Sequence, residues 1–152
     1  MLLKALDLIS IVFAALMFGV YWGPWLALSR SFGSFEPEVF LPVVHRMDRN
    51  LSSTMTALTP IALLSVLPVL AVSLREHRQS FTLTLIGLLC LVATVIVTVA
   101  VEVPIVERFR GWTLATLPAD WPELRDRWVR FHPLRIGGGL AGLAFLLAGA
   151  LS

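Results

Sequence analysis

The chain has 152 residues, of which 57% are hydrophobic and 14% charged, and its mean hydropathy is +0.84. A water-soluble domain of this length needs a larger charged coat, so the composition excludes one. A formal charge of +2, with no basic run interleaved with aromatics, excludes a nucleic-acid partner.

A helix crosses a bilayer with roughly 20 mostly apolar residues. The chain meets that four times, and the spans are predicted at about 5–28, 51–74, 81–104 and 133–151. The fold class is therefore all-α: one integral membrane domain over 1–152, a four-transmembrane-helix bundle running up-down-up-down. The first run is too long for a secretory signal peptide and ends in bulky Tyr21, Trp22 and Trp25. It reads as a retained helix whose aromatics mark a membrane interface. Residues 29–37 read as a polar loop with Gly33 at its turn.

The second helix starts near Pro37, which suits a first helical turn, and is expected to kink at Pro60 and Pro68. A short turn at 75–79, which holds His77, makes a tight hairpin with the third helix. That helix runs from Phe81 to about Phe109, with a kink at Pro104. Asp120, Pro122 and Glu123 have the spacing of a capped helix start. An amphipathic lead-in at 120–132 then enters the fourth span, bent at Pro133. Gly137, Gly138, Gly139 and Gly142 allow a neighbouring backbone to come close. The lone Cys90 excludes an intrachain disulfide and reads as core filler.

In this bundle the second and third helices and the start of the fourth extend beyond the membrane on one side, called here the site side. The opposite side holds both termini. Nine of the 12 Lys and Arg fall on the site side, against Lys4, Arg75 and Arg78 on the other. The positive-inside rule then places the site side in the cytoplasm. A multi-pass protein of the bacterial inner membrane is expected, with membrane lipid and a small apolar molecule as partners and a homo-oligomer left open.

Polar residues gather on the site side. Trp121, Arg125, Trp128, His132 and Arg135 follow spacings of 4, 3, 4 and 3, which keep them in one narrow helical stripe. The plain reading is an interfacial anchor; the register and His132 favour an inward polar wall. His45, Arg49, Ser52, Thr56 and Thr59 form a similar line on the second helix. The third carries Thr94, Thr98 and Glu102 at four-residue steps, followed by Glu107. An ionisable residue that deep in a span is a functional hypothesis, and the partner expected for Glu102 is Arg135. At ~1.5 Å per residue, Glu102, His132 and Thr56 lie roughly 31, 30 and 27 Å above the far membrane face, with Arg49 and then His45 higher.

His45, Glu102 and His132 have the residue types of a two-His, one-carboxylate site for iron, zinc or copper. The greater height of His45 and the nearby arginines count against it, so no metal and no cofactor is expected. A non-haem metal, or a haem held through His45 and His132, is the runner-up. Phosphate loops, Cys-x-x-Cys pairs and nucleophile elbows are absent from the sequence.

The segment Glu102-Val-Pro104-Ile-Val, then Trp121, Arg125-Asp-Arg-Trp128, His132 and Arg135, resembles the small four-helix membrane proteins grouped with fungal anthrone oxygenases. The segment His45-Arg46-Met-Asp48-Arg49 is similar to that family as well. The family pattern usually has asparagines where this chain carries Glu102 and Val106. The resemblance covers most of the chain. It implies oxidation of a flat, apolar, polyketide-type aromatic by O₂ without an obvious cofactor.

Two function classes follow. In the first, an oxygenase, Glu102 or His132 removes an acidic proton, and Arg135 and Arg125 hold the resulting anion. Trp121 and Trp128 supply an aromatic wall, and Arg49, Thr56, Thr98 and His45 line the substrate pocket. In the second, the polar cluster only ties the helices together or docks a partner.

Overall fold

A computed structural model describes residues 1–76 and 78–152, so the expected place of His77 in the far turn lies outside the described residues. The elements are α1 (Leu2–Ala27), a 3₁₀ turn (Ser29–Ser34), α2 (Pro37–Glu76), α3 (Arg78–Val97), a π-helical turn (Thr98–Glu102), α4 (Val103–Arg110) and α5 (Trp121–Leu151). No strand occurs among the described residues. α3, the π turn and α4 form one continuous third span, Arg78–Arg110. Four helices are long and apolar enough to cross a membrane, and they form the expected four-helix bundle. α1 packs on α2 and α5, and the third span packs on α5 and α2, which closes the ring.

The inward face of α1 is Asp7, Ser10, Ala14, Met17 and Tyr21, at helical spacing. Leu8, Val12, Leu16 and Trp22 point outward and are exposed, as are Leu64 and Leu67 on α2 and Leu89 and Ile96 on α3. An outward apolar belt is what lipid requires, since hydrocarbon is as good a solvent for leucine as another helix is.

Several local expectations change. Tyr21 does not mark an interface with Trp22; it is 1% exposed and faces the bundle interior. Residues after α1 are not an open polar loop. They wind into the 3₁₀ turn, which buries Ser29 and Phe32, and Gly33 has no positive φ. The second helix is not interrupted at Pro60 or Pro68: α2 is continuous through Pro42, Pro60 and Pro68, as α5 is through Pro133. Asp120 occupies the N-cap position of α5, but its side chain makes no capping hydrogen bond.

Pro104 has the largest effect. It lacks an N–H, and its ring crowds the carbonyl four residues back. The helix responds by widening for one turn, and the Val103 N–H reaches the Thr98 carbonyl five residues behind it. One extra residue is thereby inserted. The buried positions Ser80, Thr84, Gly87, Leu91 and Thr94 resume as Glu102, Ile105 and Phe109. Without that insertion, continued 4-3 spacing would carry Val101 inward in place of Glu102.

The tight side of the bundle is the seam between α3 and α5. A Cβ on Gly142 would come 2.6 Å from Leu91 Cδ2 and 3.2 Å from the Gly87 carbonyl, and one on Gly138 would collide with Thr94 Oγ1. Ser80 Oγ donates to the Gly149 carbonyl at 2.8 Å along the same seam. Gly137 faces open space. Gly142→Ala is therefore expected to cost about 1–3 kcal/mol through overpacking. Gly137→Ala should be neutral or slightly stabilising, read as thermal unfolding in detergent.

Candidate functional site

Four helices converge around a cavity of about 550 Å³ on the site side. α1 contributes Val20, Tyr21 and Pro24; α2 contributes Val44, Met47, Asp48, Leu51, Ser52, Met55, Thr56, Thr59 and Pro60. The third span adds Val95, Thr98, Val99, Glu102, Val103, Val106 and Arg110, and α5 adds Trp128, His132 and Arg135. Most of the wall is apolar, and each of the four helices adds at least one polar side chain to it.

The π turn delivers Glu102, which is 2% exposed. Arg135 Nη1 donates to Glu102 Oε2 at 2.9 Å, and the guanidinium lies 4.3 Å over the Tyr21 ring. The pair joins the third span to α5, and the Tyr21 π-face steadies the cation from α1. His132 sits one turn away. Its Nε2 lies 3.1 Å from the Tyr21 carbonyl, which can only accept, so Nε2 carries the proton and donates. In the neutral ring Nδ1 is then the acceptor, 3.8 Å from Glu102 Oε2. Nδ1 is thus turned towards the carboxylate.

Five buried polar groups here have no protein partner: the Tyr21 hydroxyl, Glu102 Oε1, Trp128 Nε1, His132 Nδ1 and Arg135 Nε. All five residues line the cavity. Leaving such a group unpaired costs about 1–3 kcal/mol, and native folds rarely tolerate several together. Trp128, Arg135 and Tyr21 can donate, and His132 and Glu102 can accept. The residues around the cavity thus offer both donors and acceptors beside a largely apolar wall.

An aromatic cluster holds Trp128 in position. Phe32 stacks on it at 5.3 Å, and Phe109 meets it edge-on at 5.6 Å; Phe40 packs on Phe32, Phe109 and Trp121. At the outer end of the cavity, Arg110 donates to both carboxylate oxygens of Asp48, at 2.6 and 2.8 Å.

The expected residues separate into two groups. Glu102, His132, Arg135, Trp128, Thr56 and Thr98 line the cavity. The two threonines bond back to their own helices, Thr56 to the Ser52 carbonyl and Thr98 to the Thr94 carbonyl, each at 2.8 Å. Arg125, Trp121, Arg49 and His45 lie off it. Arg125 is held by Asp126 at 2.8 Å and lies 4.8 Å over the Trp121 ring. Arg49 is exposed, because the inward residue of that turn is Asp48 and the next position is ~100° further round. His45 bonds the Phe109 carbonyl at 2.7 Å and, with Arg49, lines a separate outer groove. His45 and His132 are therefore not brought to a common cavity.

Sequence reasoning missed Tyr21, Asp48 and Arg110 as lining residues. Tyr21 was within reach, since it continues the spacing of Ser10, Ala14 and Met17. The Asp48–Arg110 pair had no such signal, because its partners are 62 residues apart.

The Glu102–Arg135 pair yields a stability test. Glu102→Gln and Arg135→Met should each lower stability by about 3–5 kcal/mol, since each strands the other charge in a buried site. The double variant should recover part of that loss in thermal unfolding in detergent. Additive losses would mean that the two side chains are not coupled.

The family model for anthrone oxygenases matches residues 47–146. In the comparisons with curated proteins and with solved structures, none matches the chain. The matched region covers more than half of the sequence. It runs from α2 into the glycine-rich part of α5 and contains Glu102, His132 and Arg135. On that match, the chain belongs to the anthrone oxygenase family.

Proposed function

We propose that this protein is a membrane-embedded oxygenase that oxidises a small, flat, apolar aromatic of the polyketide type, such as an anthrone. One observation carries the reading: residues that carry five partnerless polar groups line one largely apolar cavity in a chain of this family. The proposed setting is a bacterial inner membrane, which suits a helical multi-pass bundle, and the proposed reaction uses no metal or organic cofactor.

His132 Nδ1 is the base. It takes a proton from the activated CH₂ of the substrate, and the ring faces Glu102, which is paired with Arg135. The electron pair left on carbon delocalises onto the ring-ketone oxygen. Trp128 Nε1–H, Arg135 Nε–H and the Tyr21 hydroxyl are the donors available to that oxygen, and fixed donors are most effective where water is excluded. The carbanion adds to O₂, and the proton returns from His132 to give a hydroperoxide. Loss of the second C–H proton breaks the O–O bond and releases water. The balance is CH₂ plus O₂ to C=O plus H₂O: carbon gives four electrons and O₂ takes four, with no other reductant. Arg125 has no part in this scheme, because it is engaged by Asp126 and does not reach the cavity.

In lipid nanodiscs under ¹⁸O₂, the protein should convert anthrone to anthraquinone carrying one ¹⁸O. His132→Ala should lower the rate by about 100-fold or more while the protein still accumulates, as expected for loss of a general base. Unchanged turnover in that variant would sink the mechanism. If His132→Ala and Glu102→Gln both simply fail to accumulate, the cluster is structural.

A further inference from the structure

The cavity has two flanks, and they differ in kind. One lies between α2 and the third span, bounded by Thr56 and Pro60 on one helix and Val99 and Val103 on the other. All four line the cavity and are exposed on the outside of the bundle. By the rise of ~1.5 Å per residue, Thr56 and Val99 each lie roughly 27 Å above the far membrane face, inside a hydrocarbon layer of ~30 Å. The other flank is the outer end, where Asp48 and Arg110 meet. Asp48 is roughly 12 Å above Thr56, and Arg110 roughly 16 Å above Val99, at headgroup or water level. The two-point bond between them bridges α2 and α4 across that end.

We propose that the cavity is loaded sideways from the bilayer through the gap at Thr56, Pro60, Val99 and Val103, while the Asp48–Arg110 clasp closes the end that faces water. Three further features agree with this. The seam between α3 and α5 is closed by glycine packing, so no gap opens there. The residues at the gap carry no charge, and a flat apolar molecule would cross between them without losing hydration. The clasp bridges the end at which an apolar substrate would have to arrive through water, where it is sparingly soluble. Val99 and Val103 then set the width of what enters, and Asp48 and Arg110 hold the charged rim. The proposal rests on reading the cavity as a substrate site, but its test does not require turnover.

The probe is anthracene, a flat three-ring hydrocarbon that lacks the acidic CH₂ needed for the oxygenase reaction. It absorbs tryptophan emission, and Trp128 lines the cavity. The loading signal is the part of the energy transfer in nanodiscs that disappears in Trp128→Phe. Narrowing the gap with Val99→Phe and Val103→Phe together should slow association by about tenfold and slow dissociation as well, because a residue at the entrance raises the barrier in both directions. Widening it with Val99→Ala and Val103→Ala should speed both rates, which keeps the test informative if the larger variant fails to fold. Asp48→Asn, which weakens the clasp, should leave both rates unchanged. Rates insensitive to the valine variants, or association accelerated by Asp48→Asn, would overturn the lateral route. Normal gap-dependent loading of anthracene with no oxidation of anthrone would remove the oxygenase reading and leave the route standing.

Discussion

A carboxylate and a guanidinium near the edge of a hydrocarbon layer cannot stay apart. Each alone costs a few kcal/mol to bury there, so the fold must bring Glu102 and Arg135 together. Their contact at 2.9 Å sets the relative rotation of the third span and α5. It also fixes much of what surrounds it. Arg135 needs the Tyr21 ring beneath it, which orients α1, and the Tyr21 carbonyl in turn fixes the tautomer of His132. One ion pair thus registers three of the four spans.

Two local features make that contact reachable. The first is the π turn imposed by Pro104, which inserts one residue and swings Glu102 onto the inner face. π turns are uncommon and are found disproportionately at functional sites, because they re-aim a side chain without breaking the helix. The second is the glycine stripe of α5, which lets α3 come close enough for side chains further along to meet. Closeness at one seam is matched by looseness at another. α2 carries prolines, methionines and small polar residues towards the third span, and there the helices part to leave the cavity. The same bundle is therefore tight where it must hold and open where a molecule could be held.

The electrostatics of the site are uneven in a useful way. Arg135 neutralises Glu102 on one oxygen, while Glu102 Oε1 and His132 Nδ1 remain acceptors without protein partners. The aromatic cluster around Trp128 supplies rigidity instead of charge, at about 0.5–1.5 kcal/mol for each well-placed ring pair. Arg125 and Arg49 are by contrast cations of the rim, one paired locally and one exposed.

The sequence by itself determined the four spans, their alternation, the side on which the polar residues gather, and the pairing of Glu102 with Arg135. These follow from apolar run length, from helical spacing, and from the penalty on isolated charge in hydrocarbon. It also carried, unread, the mark of the π turn: the four-residue steps from Thr94 to Thr98 to Glu102 already depart from an even 4-3 alternation. Only the tertiary structure decided which polar residues share the cavity. Tyr21 moved from interface to interior, while Arg125, Trp121, Arg49 and His45 fell outside. Spacing along one helix fixes which residues share a face, but not how far that helix is rotated against its neighbours. That rotation is set by contacts between residues distant in sequence, here the Glu102–Arg135 pair, the glycine seam and the Asp48–Arg110 clasp.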